Sequence, residues 1–157
     1  MINILFVCMG NICRSPSAEG FFADALNSSS CKDLVSIDSA GTHGYHVGHT
    51  PDARAAAMAL NFGVDISHLR ARKVSVSDFD EYDLIIAMDR DNLEDLQRIQ
   101  PAGSRARLKM MMQYHPEGKP EEVPDPYYGS TEAFYRVFQL IDSAVEGLIF
   151  HIADPVP

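Results

Sequence analysis

The chain has 157 residues, 46% of them apolar, and a formal net charge of −9. That length suits one well-buried core, so a single domain over residues 1–157 is expected, and the acidic balance argues against nucleic acid or an anionic membrane as partner. No apolar run reaches the roughly 20 residues of a membrane span, the start MINILFVCMG lacks a basic leader and a cleavage site, and 3 cysteines are too few for a disulfide framework, which together predict a cytoplasmic protein with reduced thiols.

Ile2 to Val7 (INILFV) is a short apolar run rich in branched residues, as expected of a parallel strand covered on both faces. A helix is expected next, with Ser15 as N-cap, Pro16 at its first position and SAEGFFADAL as its body. LVSIDSAG, from Leu34 to Gly41, reads as a second strand that ends in small residues. A second helix follows Thr50 and Pro51, with Ala55, Met58, Ala59 and Phe62 on one face and Gly63 as its stop. YDLIIAM, from Tyr82 to Met88, predicts a third strand, and a helix starts near Asp89. RLKMMM, from Arg107 to Met112, is a weaker fourth strand whose methionines read as core filler. The last helix runs from about Thr131 to Ile152, with Phe134, Val137, Phe138, Ile141, Val145 and Leu148 as its core-facing stripe. Strands alternating with helices specify an α/β doubly wound domain, a parallel sheet with helices on both faces. Such folds place their sites at the carboxyl ends of strands, where the first strand here runs straight into CMGNICRS.

A loop that leaves a parallel strand and enters a helix aims its backbone N–H groups and the helix N-terminus at one point, which makes an anion site. The loop residues Met9, Gly10, Asn11, Ile12, Cys13, Arg14 and Ser15 are therefore candidate phosphate ligands, with Gly10 and Asn11 best able to take a positive φ. Arg14 adds a two-pronged grip on a tetrahedral oxyanion. Cys8 would aim its sulfur into the same bowl, where amides, Arg14 and the Ser15 hydroxyl favour thiolate over thiol. The pattern describes an activated nucleophile facing a bound phosphate.

A cysteine, five residues, an arginine and a serine resemble the phosphate loop of cysteine-dependent phosphatases, and VCMGNICRSPSAE near the N-terminus resembles the low-molecular-weight protein tyrosine phosphatase family. SAGT, DISHLRAR, YDLIIAMD and DPYYG match that family in order and spacing over nearly the whole chain. The resemblance implies a three-layer sandwich around a four-stranded parallel sheet in the flavodoxin-like order 2-1-3-4. It implies catalysis by Cys8, Arg14 and Asp125 through a phosphocysteine, with Asp125 of VPDPYYG as general acid and then base, and without metal or cofactor. It further implies supporting roles for Asn11, Ser15 and His68, Cys13 as a redox partner for Cys8, and Tyr45, Tyr127 and Tyr128 as walls against a substrate ring. The implied partners are a phosphotyrosine-containing protein and a tyrosine kinase, with inorganic phosphate or another oxyanion in the loop.

Other features have plainer readings. Cys31, in the polar stretch NSSSCKD, reads as an incidental surface thiol. His43, His46 and His49 sit in a glycine-rich loop with no acid or thiol nearby to complete a metal set. HLRARK, from His68 to Lys73, is a basic run on an acidic chain, either a solvated face or a rim that attracts an anionic substrate. Three rival functions stand beside the phosphatase. Arsenate reductases on this fold use further downstream cysteines, and none follows Cys31 here. A phosphoarginine phosphatase is expected to carry threonine at the Ile12 position, and a silent phosphotyrosine-binding module need not keep Cys8, Arg14 and Asp125 together.

Overall fold

Four strands, β1 (Ile2–Cys8), β2 (Val35–Gly41), β3 (Leu84–Ala87) and β4 (Arg107–Met110), form one parallel sheet in the order β2-β1-β3-β4. The computed structural model describes residues 1–153; residues 154–157 of the expected domain lie outside the described residues. Among the described residues, five helices connect and follow the strands: α1 (Arg14–Asn27), α2 (Ala53–Asn61), α3 (Asp78–Glu81), α4 (Arg90–Ile99) and α5 (Thr131–Ala153).

The central strand β1 explains the layering. Ile4, Phe6 and Cys8 face a core built with α1, α2 and α5, while Leu5 and Val7 face the other side with Phe79 of α3 and Leu96 of α4. Both faces are thus covered, which is why INILFV is apolar without alternation. The expected stripe of α5 is buried throughout, and Phe138 meets Phe21 of α1 edge to face at 5.7 Å. Met111 and Met112 are core residues as expected, although they sit in a 3-10 turn (Met111–Tyr114) after β4 rather than in the strand.

Two local expectations need correction. Helix α1 begins at Arg14 with Cys13 as N-cap, not at Ser15, because the Ser15 hydroxyl is engaged at the site below and is not spent on a helix amide. Pro16 still falls in the first turn, where its missing N–H leaves no gap. Cys31 is buried, at 4% exposure, and packs into the α1–α2–α5 core with Ser29 Oγ 3.1 Å from its sulfur. The 3-10 turn Lys32–Leu34 that leads into β2 leaves its own residues unburied and turns Cys31 inward.

The strand register sets up the site. Cys8 pairs with Gly41, and Val7 pairs with both Ala40 and Ala87, so the three carboxyl ends lie level and their loops converge. Gly41 is needed there, since a Cβ on it would lie 2.7 Å from the Met9 carbonyl oxygen.

At the far end, Gly147 of α5 crosses the Tyr114 backbone so closely that a Cβ would sit 1.8 Å from the carbonyl oxygen. In an open helix, Gly→Ala would gain about 1 kcal/mol. Here the expected result for Gly147→Ala is a loss of about 1–3 kcal/mol through overpacking, read as a Tm several degrees lower in thermal denaturation. An unchanged or higher Tm would contradict this contact.

Candidate active site

The loop between β1 and α1 curls over the end of the sheet with Asn11 at φ 57°, the left-handed region that asparagine tolerates better than most residues. Four bonds hold it there. The Asn11 amide Nδ2 donates to Ser15 Oγ at 2.8 Å and to Ser39 Oγ at 3.0 Å, its Oδ1 accepts from the Arg72 backbone N–H at 2.9 Å, and its own N–H donates to Cys8 Sγ at 3.3 Å. Ser39 passes its proton on to Glu19 Oε1 at 2.6 Å. Because Ser15 Oγ accepts from Asn11, its own proton is free for Cys8 Sγ at 3.0 Å or the Ala40 carbonyl at 3.3 Å. The sulfur therefore lies beside the Asn11 N–H and the Ser15 hydroxyl at the head of α1, where negative charge is favoured.

Arg14 is buried, at 2% exposure, yet charged. Burial opposes its charge, but the negative charge of Cys8 and the Asp89 and Asp125 carboxylates outweigh it and hold the guanidinium above its ordinary pKa. Nη1 donates to Asp89 Oδ2 at 2.6 Å and to the Val123 carbonyl at 3.0 Å, while Nη2 lies 3.6 Å from Asp125 Oδ2. Asp89 serves twice, since its other oxygen caps α4 through the Asn92 N–H at 2.8 Å. Burial, reinforced by Asp52 and by the charge of Cys8, pushes the Cys13 thiol far above its ordinary range. Cys13 stays protonated while Cys8 faces the donors.

These groups share one cavity of about 320 Å³, lined by Cys8, Cys13, Arg14, Asp125 and the rings of Tyr45, His46, Tyr127 and Tyr128. Asp125 is half exposed at the mouth, and its Oδ1 accepts from the Tyr127 N–H at 3.1 Å. Tyr127 and Tyr128 meet edge-on at 4.9 Å. Arg54 of α2 ties this acid loop down: its Nη1 donates to the Tyr127 carbonyl at 2.8 Å, and its guanidinium lies over the rings of Tyr127 and Phe134. Asp52 grips Arg54 from the other side and donates its own N–H to the Ile12 carbonyl at 2.8 Å, which joins the Asp125 loop to the loop between β1 and α1.

A sequence profile of the low molecular weight phosphotyrosine protein phosphatases matches residues 3–156. The chain belongs to that family. It is 43% identical to the low molecular weight phosphotyrosine protein phosphatase of Schizosaccharomyces pombe over 90% of this chain and 91% of the relative. It is 38% identical to the low molecular weight protein-tyrosine-phosphatase YfkJ of Bacillus subtilis, over 97% and 96%. The crystal structure of a protein tyrosine phosphatase from Entamoeba histolytica, with Hepes in its active site, superimposes with a TM-score of 0.92 at 36% identity over 97% of both chains.

In this member of the low molecular weight phosphatases the structure brings together Cys8, Arg14, Asp125, Asn11, Ser15, Cys13 and the three tyrosines. His68 is different. It is exposed beside Glu19, on a turn that Asp65 closes through the Ser67 N–H, and among the described residues it makes no hydrogen bond to the Asn11 network. Ser39, Glu19 and the Arg72 amide supply that bracing. The HLRARK run is largely spent on the protein itself: Arg72 pairs with Asp38 at 3.0 Å and with buried Asp78 at 3.0 Å, and Arg70 donates to the Ser67 and Leu69 carbonyls. Among the described residues no group of three metal ligands forms, and His43 stacks on Tyr45 at 5.4 Å. The roles of Asp89, Arg54, Ser39 and Glu19 were missed from sequence; the N-cap pattern of Asp89 marked only a helix start.

Burial raises the Glu19 carboxyl above the ordinary carboxylate range, and the Ser39 hydrogen bond only partly opposes it. The folded state thus binds this proton more tightly than the unfolded chain. The stability gained by neutral Glu19 is fully present below its unfolded pKa of about 4.3 and is lost as pH rises through the higher folded value. Glu19→Gln keeps an acceptor for Ser39 and cannot ionise. The expected outcome is a Tm above that of the native protein at neutral pH, with the gap closing as pH falls towards 4. A gap that ignores pH would contradict the assignment.

Proposed function

We propose that the protein hydrolyses phosphotyrosine through a phosphocysteine, in the cytoplasm, with residues 1–157 acting as one catalytic domain. The observation that carries this reading is the single cavity that holds a buried sulfur, a buried guanidinium and a half-exposed carboxylate between aromatic rings. Cys8 Sγ attacks phosphorus in line with the ester oxygen; the S–P bond forms, the P–O bond breaks, and Asp125 gives its proton to the leaving phenolate. Asp125, now ionised, takes a proton from water, whose oxygen displaces Cys8 and releases inorganic phosphate. The amides from Met9 to Ser15 and the Arg14 guanidinium stabilise the equatorial oxygens in both steps. Tyr45, Tyr127 and Tyr128 pack against the substrate ring, each contact worth about 0.5–1.5 kcal/mol, which favours a phosphotyrosine protein over a phosphoserine one. Hepes carries a sulfonate, a tetrahedral oxyanion, and its place in the active site of the Entamoeba structure supports the same use of the loop here.

Cys13 serves as a redox guard. All three cysteines are free thiols, as suits a reducing compartment. Oxidation of Cys8 to a sulfenic acid by peroxide lets the protonated Cys13 thiol condense with it, forming a disulfide and releasing water.

Cys8→Ser is expected to abolish p-nitrophenyl phosphate turnover while vanadate still raises the Tm. Asp125→Ala is expected to slow phenyl phosphate by about 10²–10⁴-fold and a strongly activated aryl phosphate far less. Turnover by the first variant, or equal losses in the second, would remove those roles. Peroxide inactivation should be reversed by dithiothreitol in the native enzyme and not in Cys13→Ser, and mass spectrometry should find the Cys8–Cys13 disulfide only in the former.

A further inference from the structure

The cavity over Cys8 ends at the loop that follows β2, and a second hollow of about 580 Å³ begins on the other side of that loop. Tyr45 and His46 face the first, and Thr42 and His43 face the second. The rings of His43 and Tyr45 stack 13° from parallel, so one aromatic pair walls both hollows. The loop is pinned to the phosphate loop, with the Thr42 N–H donating to the Cys8 carbonyl and the His43 N–H to the Met9 carbonyl, both at 2.9 Å. The spacing of the two hollows is therefore as rigid as the site itself.

Charge distinguishes this second hollow. On its α4 side Arg98 is matched by Asp95 at 2.7 Å. On its near side Lys73 is exposed and, among the described residues, enters no ion pair. Its stem runs beside Gly44, where a Cβ would lie 3.5 Å from Lys73 Cδ. Its neighbours Arg70 and Arg72 are held by carbonyls and by Asp38 and Asp78, so Lys73 is the cation of the HLRARK run that faces this hollow uncommitted. Val76 and Ile99 add exposed apolar surface, at 57% and 42%.

We propose that this hollow receives the polypeptide flanking the phosphotyrosine, and that Lys73 selects an acidic residue there, two to four positions from the phosphotyrosine. The inference rests on the phosphatase reading and names the substrate class of that same site. Three residues of extended chain reach about 10 Å, and only the four residues Thr42 to Tyr45 separate the two hollows along this loop. A chain with net charge −9 repels acidic peptides in general, so one uncommitted cation in the neighbouring hollow decides where a carboxylate is tolerated. Val76 and Ile99 then take an apolar side chain beyond it.

The test compares kcat/KM on phosphotyrosine peptides that differ only in carrying Asp, Ala or Lys two to four positions before or after the phosphotyrosine, with p-nitrophenyl phosphate as the substrate too short to reach the hollow. At low salt the Asp peptide on one side should be favoured over Ala by about two- to fivefold, the range of a partly exposed ion pair. The preference should fade near 0.5 M salt, where the screening length falls to roughly 4–5 Å. Lys73→Ala should erase it and Lys73→Glu should transfer it to the Lys peptide, both with p-nitrophenyl phosphate kinetics unchanged. Equal kcat/KM for Asp and Lys peptides on both sides, or a preference that survives Lys73→Glu, overturns the inference while leaving the catalytic reading intact. Absence of turnover on p-nitrophenyl phosphate and on every peptide overturns the catalytic reading, and this inference with it.

Discussion

The loop between β1 and α1 depends on a single side chain in an unfavourable backbone conformation. A non-glycine residue in the left-handed region costs about 1–2 kcal/mol, and Asn11 offsets that with three side-chain hydrogen bonds in a buried site. Glycine would adopt φ 57° more easily and would leave Ser15, Ser39 and the Arg72 amide without their partner. The same bonds decide where protons lie. Asn11 occupies an acceptor site of Ser15, and so directs the Ser15 proton outward to the sulfur or the Ala40 carbonyl.

Around that loop the site is assembled from groups far apart in the chain. Arg14 meets Asp89 across 75 residues, and the Val123 carbonyl across 109. Both contacts follow from the parallel register, which levels the ends of β1 and β3 and places the head of α4 beside the head of α1. Anchoring Nη1 in this way leaves Nη2 on the side of Asp125, so the guanidinium is fixed by the protein's own groups. The acid loop is secured separately through Arg54 and Asp52 to the Ile12 carbonyl. Cys8 and Asp125 thus share a common frame although different layers of the fold supply them.

The charge balance follows the same division. The acidic chain spends most of the cations near the cavity on structure, Arg72 on Asp38 and Asp78 and Arg54 on Asp52, and leaves one buried guanidinium, Arg14, lining it. Burial strengthens these few interactions, because water no longer screens them. The exposed rings of Tyr45 and Tyr128 complete the cavity without adding charge.

The sequence by itself determined the alternation of strands and helices, the apolar β1, the stripe of α5 and the joining of Cys8, Arg14 and Ser15 in one strand-to-helix turn, because each of these is written in neighbouring residues or in a helical period. Motifs matched to a family also located Asp125 and the tyrosines, which spacing alone left as ordinary loop residues. Tertiary structure alone decided the rest. Cys31 lies in a polar stretch yet is buried, since a 3-10 turn and not composition sets its direction. Ser15 resembles an N-cap yet lies one residue inside the helix, with its hydroxyl against Asn11 and the Cys8 sulfur. Glu19, Ser39, Arg54 and Asp89 carry no local mark of the site, because their partners are brought to them by strand register and helix packing, and no short stretch of sequence encodes that distance.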